Sequence, residues 1–231
     1  MKILAIDTST EACSAALLND AEIAQRYEIA PRQHAELILG MCDELLAETN
    51  SKLSELDAIA FGRGPGAFTG VRIATGVVQG IAFAHELPVV PVSSLAAMAF
   101  AAWREQGASQ VMTAIDARMG EVYWACYECS DQGVKEIVAE QVCPPEQVNL
   151  PSSGQWLGLG SGWDTYQQEL STAAGQLVTK SDGTCFPQAQ YIAMLAARSV
   201  AQGKSFPAAQ AMPVYLRDNV AKKKAEQKNN S

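Results

Sequence analysis

Histidine is scarce in this sequence. Only His34 and His85 occur, with no HExxH and no second histidine at i+4, so a zinc protease or hydrolase has no evident ligand set. Positive charge is also short. Lysines and arginines number 17 against 25 acidic residues, a net charge of −8. Such a balance repels nucleic acid in general and disfavours strong unaided binding to RNA or DNA. The one basic run, Lys222-Lys223-Lys224, reads as a solvated chain end, with a phosphate contact inside a larger assembly as the sharper reading. No uninterrupted apolar stretch reaches membrane-spanning length, and Met1-Lys2-Ile3-Leu4 is not a basic region leading into an apolar one. Neither export nor membrane insertion is expected, and a soluble cytoplasmic protein is.

What is present is a large apolar fraction, 48% of residues, which argues for a sizeable core and against wholesale disorder. Six cysteines (13, 42, 126, 129, 143, 185) sit mostly in apolar segments and suit reduced, buried thiols. Cys126 and Cys129 have CxxC spacing, but they fall in a strand-like run, where i and i+3 point to opposite faces.

The order of elements follows from periodicity and punctuation. Residues 2–7, 12–18 and 21–29 read as three antiparallel strands, with Asn19-Asp20 as a hairpin turn. A helix follows Pro31, a strand spans 56–61, a helix 69–86, a strand 88–92, and a third helix starts at Ser93 or Ser94. Near Gln110 the order restarts: strand 111–116 ends in Asp, as the first strand did, then come a turn and strand 121–129. A strand at 134–140, a strand at 156–160, a helix after Ser161 and a helix over 188–202 complete it. This is a weak internal repeat, predicting two related α/β domains across a cleft, each a mixed sheet flanked by helices. We place the first at 1–105, with the C-terminal segment about 206–225 as a candidate to complete it, and a less regular second at 106–205.

Three stretches carry candidate chemistry. Asp7-Thr8-Ser9-Thr10 closes the first strand; it suits a metal-bound phosphate, or an Asx turn satisfying its own backbone. Gly62–Arg72, GRGPGAFTGVR, lies between a strand and a helix, where amides attract anions, yet lacks the GK[ST] ending and the GxGxxG spacing. Thr69 is the expected N-cap. Arg72, in the first turn, opposes the helix dipole and calls for a partner elsewhere. The helix over 69–86 is apolar nearly all round, more than one buried face needs, and Gly76, Gly80 and Ala84 line up at i, i+4, i+8. It reads as an interface helix or as one buried on both sides. Asp116, Arg118 and Glu121 form a further polar group that either lines the cleft or pairs at a turn.

The segments ILAIDTSTEACSAAL, GRGPGAFTGVRIATGVVQGIAF, VVPVSSLAAMA and AIDARMGEVYWACY, in this order, resemble the bacterial TsaB (YeaZ) family over essentially the whole chain. The resemblance implies an actin/Hsp70/sugar-kinase-like (RNase H-like) fold. It implies work in forming N6-threonylcarbamoyladenosine at position 37 of tRNAs reading codons that begin with A. In such systems the paralogue TsaD is the transferase and TsaE a small ATPase. The transferase carries an HxxxH metal pair after the strand matching 88–92, and the corresponding positions here are Ser94 and Met98. Ser is a poor ligand and Met a soft one, so no metal site is expected there.

The resemblance further implies a homodimer alone and a heterodimer with TsaD through the first two helices, about 32–48 and 69–86. TsaE joins in a ternary complex, and tRNA is reached only through the complex. From spacing, the interface candidates are His34, Leu37, Ile38, Met41 and Leu45 on one helix, and Thr69, Arg72, Ile73, Gly76, Val77, Gly80 and Ala84 on the other. Candidates for nucleotide binding are Asp7, Thr8, Gly64, Gly66, Asp116 and Arg118. No cofactor of its own is expected; ATP or ADP shared at a heterodimer interface is. The expectation is a non-catalytic scaffold and activator. The alternative is a small-molecule phosphotransferase using Asp7 and the Gly62–Gly66 loop.

Overall fold

The computed structural model describes residues 1–217, so Lys222–Lys224 lie outside the described residues. The first sheet is built from β1 (Lys2–Asp7), β2 (Ala12–Asn19), β3 (Glu22–Ile29), β4 (Ala58–Gly62) and β5 (Val89–Val92). Its order is β3-β2-β1-β4-β5, antiparallel across β1–β2–β3 and parallel across β1–β4–β5. β1 is apolar on both faces because both are covered: Leu4 and Ile6 enter one core cluster, Ile3 and Ala5 another. The parallel connections run through α1 (His34–Glu48) and α2 (Phe68–Ala84), and α3 (Ser94–Gln106) follows β5. Ser93 caps α3, its Oγ accepting from the Ala96 amide at 3.1 Å, and Gly107 ends it in the left-handed region. The N-cap of α2 is Ala67 rather than the expected Thr69, and no side chain caps that helix.

The second half repeats the first strand for strand. β6 (Gln110–Arg118), β7 (Glu121–Ser130), β8 (Gly133–Cys143), β9 (Trp156–Leu159) and β10 (Val178–Asp182) pair in the order β8-β7-β6-β9-β10, with the same parallel and antiparallel neighbours. α4 (Ser161–Thr165) and α5 (Gln167–Ala174) lie between β9 and β10, and α6 (Ala189–Ala201) comes last. The polar edge strand β10, VTKSD, has no place in the sequence reading, since only strands with a buried face show apolar alternation. Cys126 and Cys129 enter different core clusters on opposite faces of this sheet. Burial pushes both thiols up to about 12, which leaves them protonated and unreactive.

The division at 105 does not follow the packing. α3, from the first half, lays Leu95, Met98 and Ala99 on the second sheet, whereas α6, from the second half, lays Ile192, Ala193 and Ala196 on the first. The two helices meet at the centre, with Phe100 and Tyr191 edge to face at 6.3 Å. Each half therefore covers one face of its partner's sheet, and α1 with α2, or α4 with α5, covers the other. Arg63 and Glu140 add a bidentate ion pair across the junction at 3.0 and 3.2 Å. The C-terminal segment crosses it too. Phe206 pairs with Val89, Ala211 is buried in the first core, and Arg217 pairs with Glu121 on β7.

Candidate functional site

The turn after β1 is closed. Asp7 and Thr8 are fully buried. Asp7 Oδ1 accepts from the Ser9 amide and the Ser9 hydroxyl, both at 2.9 Å, and Oδ2 accepts from Ser94 Oγ at 3.3 Å. Thr8 Oγ1 donates to the Gly70 carbonyl at 2.7 Å, and the Ala67 amide donates to the Ser9 carbonyl at 2.7 Å. The glycines of the 62–70 loop make this contact feasible. A Cβ at Gly62 would collide with Asp7 Oδ2, one at Gly66 with the Ser9 carbonyl, and one at Gly70 with the Thr8 carbonyl. The space that a phosphate would occupy in a cradle is filled by the chain's own turn. Asp7 and Thr8 are thus engaged in the closed turn, and Gly64 is buried beside it.

Burial pushes the Asp7 carboxyl up to about 6, against the opposing pull of the Ser9 and Ser94 hydrogen bonds and of His34. The folded chain then holds this proton at pH values where the unfolded chain, near 4, has released it. Stability on this account is fully present below about pH 4 and is lost as pH rises to about 6, a penalty on the order of 3 kcal/mol that persists above it. In Asp7→Asn, whose amide oxygen keeps the Ser9 bonds, that slope should vanish. Thermal melts from about pH 4 to 7 check it, and an unchanged wild-type slope in the variant would reject Asp7 as its source.

Asp116, at the matching end of β6, sits in a more open setting. Its carboxylate accepts from the Arg118 amide and guanidinium, both at 2.8 Å, and from Tyr166 Oη at 3.2 Å. Arg118 also reaches Glu11 on the first half, at 3.2 Å. Arg118 and Met119 both have positive φ, 62° and 59°, in a tight hairpin that holds Met119 73% exposed. Asp116, Arg118, Glu11 and the C-terminal segment border a cavity of about 640 Å³ between the halves, whose wall also includes Gly66 and His34. Tyr215 and Arg217, which line it from that segment, carry no motif by which sequence alone could have marked them.

The α1–α2 face divides the interface candidates. Ile38, Met41 and Leu45 point into the chain's own core and are not available to a partner, His34 is buried at the cavity wall, and Leu37, Ile73 and Val77 are half-buried. Thr69, Arg72, Gly76, Gly80 and Ala84 are exposed, joined by Leu39, Gly40 and Phe83, the last 82% exposed. A Cβ added at Gly40, Gly76 or Gly80 would meet nothing, so their small size serves no packing within this chain. The expected partner of Arg72 is aromatic. Its guanidinium lies 3.1 Å from the Phe68 ring centroid and 4.8 Å from that of Tyr215. Ser94 is spent on Asp7, and Met98 is buried in the core of the second sheet.

Duplicated sheets ordered 3-2-1-4-5, joined across a cleft, define a two-lobed RNase H-like protein of the actin type. The family model for TsaD, "tRNA N6-adenosine threonylcarbamoyltransferase", matches residues 13–225. The tRNA threonylcarbamoyladenosine biosynthesis protein TsaB of Escherichia coli is 45% identical over 97% of this chain and 98% of its own. The Haemophilus influenzae TsaB is 44% identical over 97% of each. The solved structure of YeaZ from Pseudomonas aeruginosa has a TM-score of 0.88 and 49% identity, covering 93% of this chain and 99% of that one. This chain belongs to the TsaB (YeaZ) family, within the wider group that the TsaD model describes. Among the described residues no helix is long and apolar enough to cross a membrane.

Proposed function

We propose that this chain works in tRNA threonylcarbamoyladenosine formation as a non-catalytic scaffold and activator, binding the transferase TsaD through the exposed face of α1 and α2, with TsaE completing the assembly. The observation that carries the reading is that face: small and apolar, with glycines whose size has no use inside the chain. Alone, the same face pairs with a second copy. The positions that would match the transferase's metal pair, Ser94 and Met98, are occupied by internal packing, which supports an accessory role. Asp7 is likewise engaged, which weighs against the phosphotransferase alternative. The net charge of −8 fits a subunit that meets tRNA only through its complex, in the cytoplasm. Any ATP or ADP would be held jointly at the heterodimer interface, with Asp116 and Arg118 as this chain's contribution.

The deciding experiment is a reconstituted tRNA modification assay with TsaD and TsaE, with and without this chain. Modification should collapse in its absence. Full modification without it would refute an activator role, and modification by this chain without TsaD would refute the non-catalytic one.

A further inference from the structure

Arg26, Arg63, Arg118 and Arg217 are each paired with a carboxylate of this chain. Arg72, exposed on the α2 face, has no such partner among the described residues. Its one hydrogen bond is long, 3.4 Å from Nη1 to the Phe68 carbonyl. The guanidinium is nevertheless fixed. It lies against the Phe68 ring of its own helix and the Tyr215 ring of the C-terminal segment, whose centroids are 5.9 Å apart. Two aromatic contacts orient the planar fork in advance, so little side-chain entropy is left to lose on binding. Arg72 also stands one turn into α2, near the positive end of the helix dipole, and the first turn carries no acidic residue to offset it.

The surroundings favour a protein as the source of a counter-charge. On one side of Arg72 lie Gly76 and Gly80, where an added Cβ meets nothing, so another backbone can approach closely. On the other side the C-terminal segment adds Tyr215 and Met212, 45% and 63% exposed. That segment is anchored: Gln79 Nε2 donates to the Ala211 carbonyl at 2.7 Å, and the Val214 amide to the Arg63 carbonyl at 2.8 Å. Beyond the glycines, α1 exposes Glu36 and Asp43, neither of them paired with a cation among the described residues. A polyanion laid along this face would meet both carboxylates. A folded protein can instead set a single carboxylate against Arg72 and pack a helix over the glycines.

We propose that Arg72 is the charged anchor of the docking face, that the protein docking there presents a carboxylate to it, and that Tyr215 is the positioning residue that holds the guanidinium for that contact. The docking surface then continues from α2 onto the C-terminal segment. This rests on the reading of the α1–α2 face as the docking face, and adds the chemistry of what docks. In the complex the fork donates two parallel N–H bonds to the carboxylate, within an apolar rim that excludes water.

The test measures the affinity of the full chain for TsaD by calorimetry, without tRNA or nucleotide, with melting temperatures as the control for folding. Arg72→Gln should weaken binding about tenfold or more, and Arg72→Glu roughly a hundredfold or more. Tyr215→Leu keeps the charge and should weaken binding about threefold to tenfold, whereas Tyr215→Phe keeps the ring and should bind as the parent does. The Tyr215 pair decides the question if an Arg72 variant does not fold. Among single Asp→Lys and Glu→Lys variants across the docking surface of TsaD, one should restore binding to the Arg72→Glu chain. Gly80→Arg, measured alongside, separates the two readings. If it abolishes binding while Arg72→Glu leaves it unchanged, the anchor is rejected and the docking face stands; if neither changes the affinity, the docking face itself is rejected. The proposal also falls if Tyr215→Leu binds as well as the parent, or if no reversal in TsaD rescues Arg72→Glu. It falls as well if Arg72→Glu leaves TsaD binding intact and weakens tRNA binding by the assembled complex, which would assign the arginine to RNA.

Discussion

A Gly80→Arg chain is expected to stay folded and to lose its partner. Gly80 lies on the exposed side of α2, and a side chain added there meets no atom within 4 Å, so the core does not feel the change. Replacing a mid-helix glycine by arginine should even favour the helix by about 0.5–1 kcal/mol. In a complex the same position meets another surface at close range. A guanidinium there must be desolvated without a counter-charge, which costs several kcal/mol and weakens association by roughly a hundredfold or more. Two measurements separate these effects. The melting temperature of the variant should equal or slightly exceed that of the parent, while co-elution with the transferase, and self-association of the isolated chain, should be lost. Undiminished co-elution would remove the α1–α2 face as the docking surface, and a collapsed melting transition would contradict the open space around Gly80.

The first half alone, residues 1–105, is expected not to fold. It contains every strand of the first sheet but not α6, and without α6 the face bearing Ile3, Val90 and Val92 is left in water. It would also carry α3 with Leu95, Met98 and Ala99 and no second sheet to bury them. At about 1.5–3 kcal/mol for each large aliphatic side chain, the loss is on the order of 10 kcal/mol, comparable to the whole stability of a domain. Circular dichroism of the fragment should show no cooperative thermal transition, whereas residues 1–217 should melt as one unit. A cooperative transition in the fragment would mean that the exchange of helices contributes little.

The duplicated architecture was legible because its signals are local. Strand-Asp-turn-strand occurs at both Asp7 and Asp116, and the apolar alternation and helical spacing around these turns are properties of short windows. The family resemblance rests on the same contiguous segments. The glycines of GRGPGAFTG were also legible, as positions needing close approach, but not what would approach them. Sequence left open a phosphate or a packed element, and the structure assigns the space to the Ser9 and Thr8 carbonyls and the Asp7 carboxylate. Spacing likewise marked an apolar stripe on α1, which the sequence reading assigned to a partner surface. Ile38, Met41 and Leu45 were claimed by the sheet beneath, and the surface kept Leu39 and Gly40.

By itself, then, the sequence determined the element order apart from β10, the repeat, the family and the presence of two apolar helices, because periodicity, turn chemistry and contiguous motifs need no knowledge of distant residues. Only the tertiary structure decided that α3 and α6 trade sheets, that Arg63 and Glu140 join the halves, and that the C-terminal segment walls the cavity. The ion pair alone joins residues 77 positions apart. Their partners are selected by shape and charge once the chain has collapsed, which no local pattern encodes.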